Sequence, residues 1–92
     1  MEFRASHILV SDKTLAESLY ERVRKGESFS SLASQYSKCP SKSKGGDLGW
    51  FKEGQMVREF ENQVRRMSTG SISRPVRTQF GYHIIKKTGA RG

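Results

Sequence analysis

The sequence predicts an α+β fold built around a small, largely antiparallel β-sheet. Its two most apolar extended segments lie near the two ends of the chain, and amphipathic segments of helical period lie between them. The last two extended segments are too close in sequence for a crossover connection, so the sheet cannot be mostly parallel. With 92 residues, we expect one domain, residues 1–92, around a single core.

The first extended segment, FRASHILV at residues 3–10, alternates with the period of a β-strand. One face carries Phe3, Ala5, His7 and Leu9, and the other carries Ser6, Ile8 and Val10. The last strand, FGYHIIKK at residues 80–87, is similarly apolar and contains the second of the two histidines, His83. Strands that are apolar on both faces belong in the middle of a sheet covered by helices.

Two amphipathic helices are expected after the first strand. The first covers residues 14–25, where Thr14 and Glu17 have the spacing of a capping box. The second covers residues 28–37, with Ser28 as its cap. Both have apolar stripes at helical spacing, formed by Leu15, Leu19 and Val23 in the first and by Phe29, Leu32, Ala33 and Tyr36 in the second.

A polar loop, KCPSKSKGG at residues 38–46, follows, and Pro40 suits the start of a short helical turn in it. We then expect an extended segment (DLGWF, 47–51), a helix (MVREFENQVRRM, 56–67) and a short strand (SISRPV, 71–76). The complete order is β-α-α-α-β-α-β-β, with about four helices. Residues 89–92 are expected to form a flexible tail.

The formal charge of +8 is the strongest compositional signal. It favours acidic partners such as nucleic acid, anionic protein surfaces or phosphorylated peptides. A solvated surface explains the same composition, because the basic residues are scattered and form no run of five or more. The composition alone leaves both interpretations open.

Membrane insertion and secretion have no support in the sequence. No apolar run approaches the roughly 20 residues of a membrane span, and no basic-then-apolar leader precedes a cleavage site. We therefore expect a soluble, cytoplasmic protein.

Three side chains titrate or attack near neutral pH, namely His7, Cys39 and His83. If the first and last strands are neighbours, both imidazoles can lie on one face, with Cys39 in the loop above them. The alternative is a loop thiol and two hydrogen-bonded core histidines. A Cys–His hydrolase is also conceivable, but no nucleophile turn surrounds Cys39 and a proline follows it directly.

Metal and phosphate sites have weak support. The chain contains no C-x-x-C or H-x-x-x-H spacing that would favour zinc, so no metal or cofactor is expected. The stretch KGGDLG lacks the spacing of a phosphate-binding loop and predicts a turn that needs positive φ.

Three apolar residues, Leu48, Met56 and Phe60, are core candidates by position. Considered together, beside two histidines and a thiol, they also suit the wall of a small apolar pocket, since methionine adapts well to apolar ligands.

Five blocks of the sequence resemble, in order and spacing, the parvulin family of peptidyl-prolyl cis-trans isomerases. These blocks are ASHILV, FSSLASQYSKCPS, GGDLGWF, GQMVREFENQV and ISRPVRTQFGYHIIKK, which together span about residues 4–88. The likeness is strongest to the small single-domain bacterial members. It implies the parvulin α/β roll, similar to that of FK506-binding proteins, in which helices surround a four-stranded antiparallel sheet.

The resemblance also implies roles for individual residues. His7 and His83 match the paired strand histidines of the family, and Cys39 matches a position that holds cysteine or aspartate. Thr78 matches a hydroxyl that hydrogen-bonds near the histidines. The proline-ring pocket would be formed by Leu48, Met56, Phe60 and Phe80.

One departure concerns phosphate. Phosphate-dependent relatives carry an arginine-bearing loop between the first strand and the first helix, whereas this chain has only SDK there. A bidentate phosphate clamp is therefore missing, and no phosphoserine or phosphothreonine requirement is expected.

The resemblance thus implies a non-covalent prolyl isomerase that assists protein folding, acts on proline-containing peptides and unfolded or partly folded proteins, and needs no cofactor. A monomer is expected, with acidic partners bound weakly at most. The alternative is a basic binding module for nucleic acid or anionic proteins with a vestigial isomerase site. No aromatic stacking motif of an RNA-binding sheet supports that alternative.

Overall fold

The computed structural model describes all residues from Met1 to Gly92 and contains one four-stranded antiparallel sheet with strand order β2-β1-β4-β3. Three α-helices and one 3₁₀ helix accompany it, which confirms the predicted fold class and element order. The elements are β1 (Glu2–Val10), α1 (Lys13–Arg24), α2 (Phe29–Tyr36), the 3₁₀ helix (Pro40–Lys44), β2 (Asp47–Lys52), α3 (Arg58–Arg66), β3 (Val76–Thr78) and β4 (Gly81–Arg91).

The first and last strands lie in the centre of the sheet, as their two apolar faces predicted. Each face supports a separate part of the core. On one face α1 and α2 pack against Ile8, Val10 and Ile84. On the other face α3 packs through Phe60 and Val64 on a cluster completed by Phe3, Ala5, Phe51 and Ile85. The histidines lie on the α3 face.

The helix caps differ in part from the sequence expectation. Asp12, not Thr14, caps α1, since its carboxylate accepts hydrogen bonds from the backbone N–H groups of Thr14 and Leu15. The predicted cap of α2 is confirmed, because Ser28 Oγ accepts from the Ser31 N–H group. The third helix starts at Arg58 rather than Met56, which leaves Met56 in the loop before it.

The short strand predicted at residues 71–76 is wrong in position. The strand is β3, Val76–Thr78, and it forms a tight hairpin with the start of β4. Upstream of it, Ile72 makes only an isolated bridge to Lys86. Pro75 has no N–H group to donate to a ladder, so pairing begins only after it.

The flexible tail expected at residues 89–92 is also corrected. Strand β4 continues through Arg91, and its last residues pair with the start of β1, with Glu2 opposite Arg91. Arg91 forms an ion pair with Glu2 at 2.8 Å and lies 4.0 Å from the centre of the Trp50 ring. Backbone pairing and this stacking hold the end of the chain in place of the expected fraying.

One lysine departs from the expected solvated basic surface. Lys87 is only 6% exposed, on the α3 face of β4. Its ammonium group donates to the carbonyl of Met67, the C-terminal cap of α3, at 2.7 Å and lies 5.1 Å from the Phe3 ring centre. A cation at a helix C-terminus is stabilising, and here it fastens α3 to the last strand.

Candidate active site

Two histidines from the central strands meet on the face covered by α3. In the β1–β4 register, Leu9 pairs with His83 and His7 pairs with Ile85, so the two imidazoles are diagonal neighbours. Their Nδ1 atoms are 2.9 Å apart, and the rings stack with centres 5.0 Å apart. Both side chains are buried, at 5% and 4% exposure. The predicted adjacency of the pair is therefore present.

Thr78 extends this pair into a chain of hydrogen bonds. Its Oγ1 lies 2.7 Å from His83 Nε2 and accepts a bond from the Phe80 N–H group at 3.1 Å. One proton must lie between the two Nδ1 atoms and one between His83 and Thr78. Whichever ring donates between the two Nδ1 atoms, one ring is protonated at Nδ1 and the other at Nε2. The Nε2 atom of His7 has no hydrogen-bond partner in the protein.

Both imidazoles are held in the neutral form. Burial lowers the pKa of His7 to about 4, and the neighbouring His83 lowers it further in the same direction. Burial also lowers the pKa of His83 to about 4, against an opposing, weaker effect of the Glu59 carboxylate. At neutral pH the floor of the site is therefore polar but uncharged.

A pH dependence of stability follows from these values. In the unfolded chain the histidines titrate near 6.5, so between about pH 6.5 and 4 the unfolded state binds more protons than the folded state. The free energy of unfolding is expected to fall as pH decreases through that window, by about 3 kcal/mol for each imidazole. Urea unfolding followed by circular dichroism at several pH values measures it.

The pH range in which the histidines lower the free energy of unfolding differs from the range in which the carboxylates do so. Asp47 and Glu61, whose pKa values are lowered by hydrogen bonds from Arg4 and the Gly54 N–H group respectively, begin to lose their stabilising effect only as pH falls below their ordinary pKa values of 3.8 and 4.5, near or below the bottom of the histidine window. An unfolding free energy that stays constant from about pH 7 to 5 would contradict the burial of two neutral imidazoles.

An apolar cavity of about 440 Å³ opens above the histidine pair. Phe60 of α3 forms its inner wall and meets both imidazoles edge to face, at 5.6 Å from His7 and 5.5 Å from His83. Phe80, 59% exposed, lies at its rim. The cavity brings together seven of the eight predicted site residues, His7, Cys39, Leu48, Met56, Phe60, Phe80 and His83, and Thr78 supports it from behind.

Cys39 lies in the loop between α2 and the 3₁₀ helix and is half-buried. Two hydrogen bonds anchor this loop to the first strand: the Lys38 N–H group donates to the Leu9 carbonyl at 2.7 Å, and Ser37 Oγ accepts from the Leu9 N–H group at 3.0 Å. The Cys39 N–H group donates to the same Ser37 hydroxyl. The thiol is thus held beside the histidine floor, but it forms no hydrogen bond to either imidazole.

Five lining residues were not identified from the sequence, namely Leu9, Lys38, Pro40, Gln55 and Val57. Leu9 could have been found, because period two places it on the same face as His7. Pro40 begins the 3₁₀ helix, and Lys38, Gln55 and Val57 lie in loops, and no local sequence signal gives the path of these segments across the site.

Other sites can be distinguished from this one. A larger cavity of about 660 Å³ lies beside the sheet near the start of α2, but its lining is mostly polar and contains neither histidine nor Cys39.

No group of three His, Cys, Asp or Glu side chains is arranged to hold a metal ion. None of the helices has the length and apolar character needed to cross a membrane.

Comparison with known families assigns this combination of fold and site to a class of enzymes. A family model described as "Rotamase: PPIC-type PPIASE domain" matches residues 7–89, which include the eight predicted site residues. The fold and the site therefore define a rotamase domain. Rotamases are the enzymes that catalyse rotation about the peptide bond before proline. Within that class, the chain belongs to the PPIC-type peptidyl-prolyl isomerase family, the parvulins.

The curated relatives are longer than this chain. The foldase protein PrsA of Bacillus subtilis (strain 168) is 56% identical over 92 residues, which are 99% of this chain and 32% of the relative. PrsA of Geobacillus kaustophilus (strain HTA426) is 52% identical over 88 residues, or 95% of this chain and 31% of the relative. The chain thus spans about a third of the length of these relatives.

Solved structures confirm the parvulin fold predicted by the resemblance. The crystal structure of PrsA from Bacillus anthracis superposes with a TM-score of 0.97 at 48% identity, covering 99% of this chain and 42% of that one. The solution structure of NmPin, the parvulin of Nitrosopumilus maritimus, gives a TM-score of 0.84 at 40% identity and covers 96% of both chains.

Proposed function

We propose that this domain catalyses cis–trans isomerisation of X-Pro bonds in peptides and in unfolded or partly folded proteins, and thereby assists folding. The observation that carries the proposal is the apolar cavity above two buried, neutral imidazoles. Such a cavity suits a proline ring, while its floor offers hydrogen-bonding groups without net charge. The relatives named as foldases support the same function.

The cavity provides a physical basis for the reaction. An X-Pro bond has a rotation barrier of about 18–20 kcal/mol because its planar form is resonance-stabilised, and no bond needs to be broken. A catalyst must bind the twisted amide better than the planar one. The twisted amide is less dipolar at its carbonyl, so the apolar wall formed by Phe60 and Met56 favours it over the planar form.

The polar groups of the site act by position in this mechanism. The neutral histidines and Thr78 fix one another through hydrogen bonds and hold the floor rigid, so neither imidazole is needed as a general base. Gln55 uses its Oε1 atom to accept a bond from the Lys52 N–H group, which leaves its NH₂ group to donate to a bound peptide.

The connection between β1 and α1 supports independence from phosphate. Only Ser11 and Asp12 separate the two elements, and the Asp12 carboxylate is committed to the first turn of α1. A phosphate on the substrate would meet this carboxylate rather than an arginine clamp. Unphosphorylated substrates are therefore proposed.

Cys39→Ser is expected to retain most of the activity, with kcat/KM reduced less than about fivefold. The thiol has no hydrogen bond to an imidazole that could activate it as a nucleophile, so its proposed role is electrostatic or steric. A protease-coupled assay on a proline tetrapeptide measures the change. Loss of all activity in a folded Cys39→Ser protein would instead support covalent attack by the thiol.

The same geometry disfavours the Cys–His hydrolase considered from the sequence. The Nδ1 atoms of both imidazoles are turned toward one another, and His83 Nε2 contacts Thr78. His83 therefore has no free ring nitrogen, and the free Nε2 atom of His7 forms no hydrogen bond with the thiol.

The proposed activity is tested by adding the domain to a refolding protein whose slow phase is limited by prolyl isomerisation. The rate of that phase should rise in proportion to the amount of domain added and remain unchanged when duplex DNA is present as a competitor. No acceleration by a folded domain would overturn the proposal. Inhibition by DNA would favour the basic binding module.

A monomeric state and a cytoplasmic location are part of the same proposal and rest on the sequence alone. Sedimentation of the purified domain tests the first. Fractionation of cells that express the natural protein tests the second.

A further inference from the structure

One charged side chain lines the otherwise uncharged cavity. Of the twelve lining residues, Lys38 is the only one with a full formal charge at neutral pH, since both histidines are neutral. Its ammonium group donates to the hydroxyl of Ser11 at 2.8 Å, and it takes part in none of the seven ion pairs of the molecule. The cavity rim therefore carries one positive charge without an anionic partner.

The backbone of this lysine is fixed beside the floor of the site. Its N–H group donates to the carbonyl of Leu9, two residues from His7 on the same strand face. Ser37 and Cys39, on either side of Lys38, are held through the Ser37 hydroxyl. The charge therefore sits on a short, anchored segment that lines the cavity.

The neighbouring carboxylates leave this charge available. Asp12 follows Ser11, but its carboxylate oxygens accept the N–H groups at the start of α1. Glu59 acts on His83 from α3 and forms no ion pair with Lys38. An anion supplied by a substrate would meet no competing acid bound to the ammonium group.

We propose that Lys38 is a specificity-determining residue that makes the domain prefer proline peptides with Glu or Asp beside the proline. This rests on the proposed isomerase function. With the proline ring in the apolar cavity, the side chain of a flanking residue lies at the rim, within reach of the flexible lysine. A carboxylate there is attracted and an ammonium group is repelled, and because Lys38 is exposed, salt weakens both effects.

The test compares isomerisation of matched tetrapeptides that carry Glu, Ala or Lys before the proline, together with a second series that varies the residue after it. We expect kcat/KM for Glu to exceed that for Lys by about 5- to 10-fold at low salt at one or both positions, and the ratio to shrink toward 1 in high salt. Lys38→Met should bring the ratio close to 1, and Lys38→Glu should invert it.

The control is Lys42→Met, which makes the same change in net charge in the 3₁₀ helix, at a residue that does not line the cavity. It should keep the wild-type ratio. Equal losses in the two variants would assign the preference to net charge and overturn the role of Lys38, as would a wild-type ratio near 1 at both positions. The Ala peptide separates the two proposals, because its acceleration by the wild-type domain tests the isomerase function alone.

Discussion

Phe60→Ala is expected to lower kcat/KM by about 100-fold and the free energy of unfolding by about 3–5 kcal/mol. The ring is 2% exposed, packs in the core cluster of the α3 face and forms the wall that both imidazoles touch. Its removal both opens a cavity in the core and takes away the apolar surface that favours the twisted amide. Urea unfolding and the tetrapeptide assay, run where the variant is folded, measure the two effects.

Phe51→Ala is the matched control. Phe51 is 3% exposed and belongs to the same core cluster, and its ring centre lies 6.0 Å from that of Phe60. Unlike Phe60, it does not line the cavity. Its truncation should cost a similar free energy of unfolding, with an activity loss at least tenfold smaller. If the two folded variants lose the same activity, Phe60 acts only through stability and not as a wall of the site.

Gly46→Ala is expected to destabilise the fold by about 3 kcal/mol or more. Gly46 has φ of +90°, a region that side chains avoid, and an added Cβ atom would lie 2.5 Å from the His7 carbonyl oxygen and 3.1 Å from the Ala33 Cβ. The Gly46 carbonyl also accepts the His7 N–H group at 2.9 Å. The substitution would therefore push β1 away at the residue that carries the floor of the site.

Gly54→Ala separates backbone strain from this close approach. Gly54 has nearly the same φ, +87°, but an added Cβ atom there would have no neighbour within 4 Å. It should cost only about 1 kcal/mol. Thermal or urea unfolding of both variants gives the difference, and equal losses would show that steric conflict with His7 is unimportant.

Local patterns predicted most of the fold. The alternation of β1 and the apolar stripes of the helices depend on neighbours in the sequence, so they could be read directly. β3 could not, because three residues form it and only the hairpin with β4 defines it. The extension of β4 to Arg91 depends on pairing with Glu2, at the opposite end of the chain.

The site was less accessible to such reasoning. His7 and His83 are 76 residues apart, and their contact depends on the register between β1 and β4. Reasoning from the residues placed the two imidazoles on one face only on the condition that the first and last strands are neighbours, and it left hydrogen-bonded core histidines as the alternative. The likeness to parvulins implied the pair. The buried position of Lys87 and the place of Gln55 in the cavity had no signal, because both are set by how α3 and its preceding loop pack on the sheet.

The pairing of Glu2 with Arg91 brings the two ends of the domain side by side. Residues that face each other in an antiparallel ladder have Cα atoms about 5 Å apart, so the chain enters and leaves the fold at nearly one point. Such a unit can replace a surface turn of a host protein without forcing the flanking segments apart. The geometry therefore suits insertion of the domain into a longer chain without rearrangement of the segments on either side.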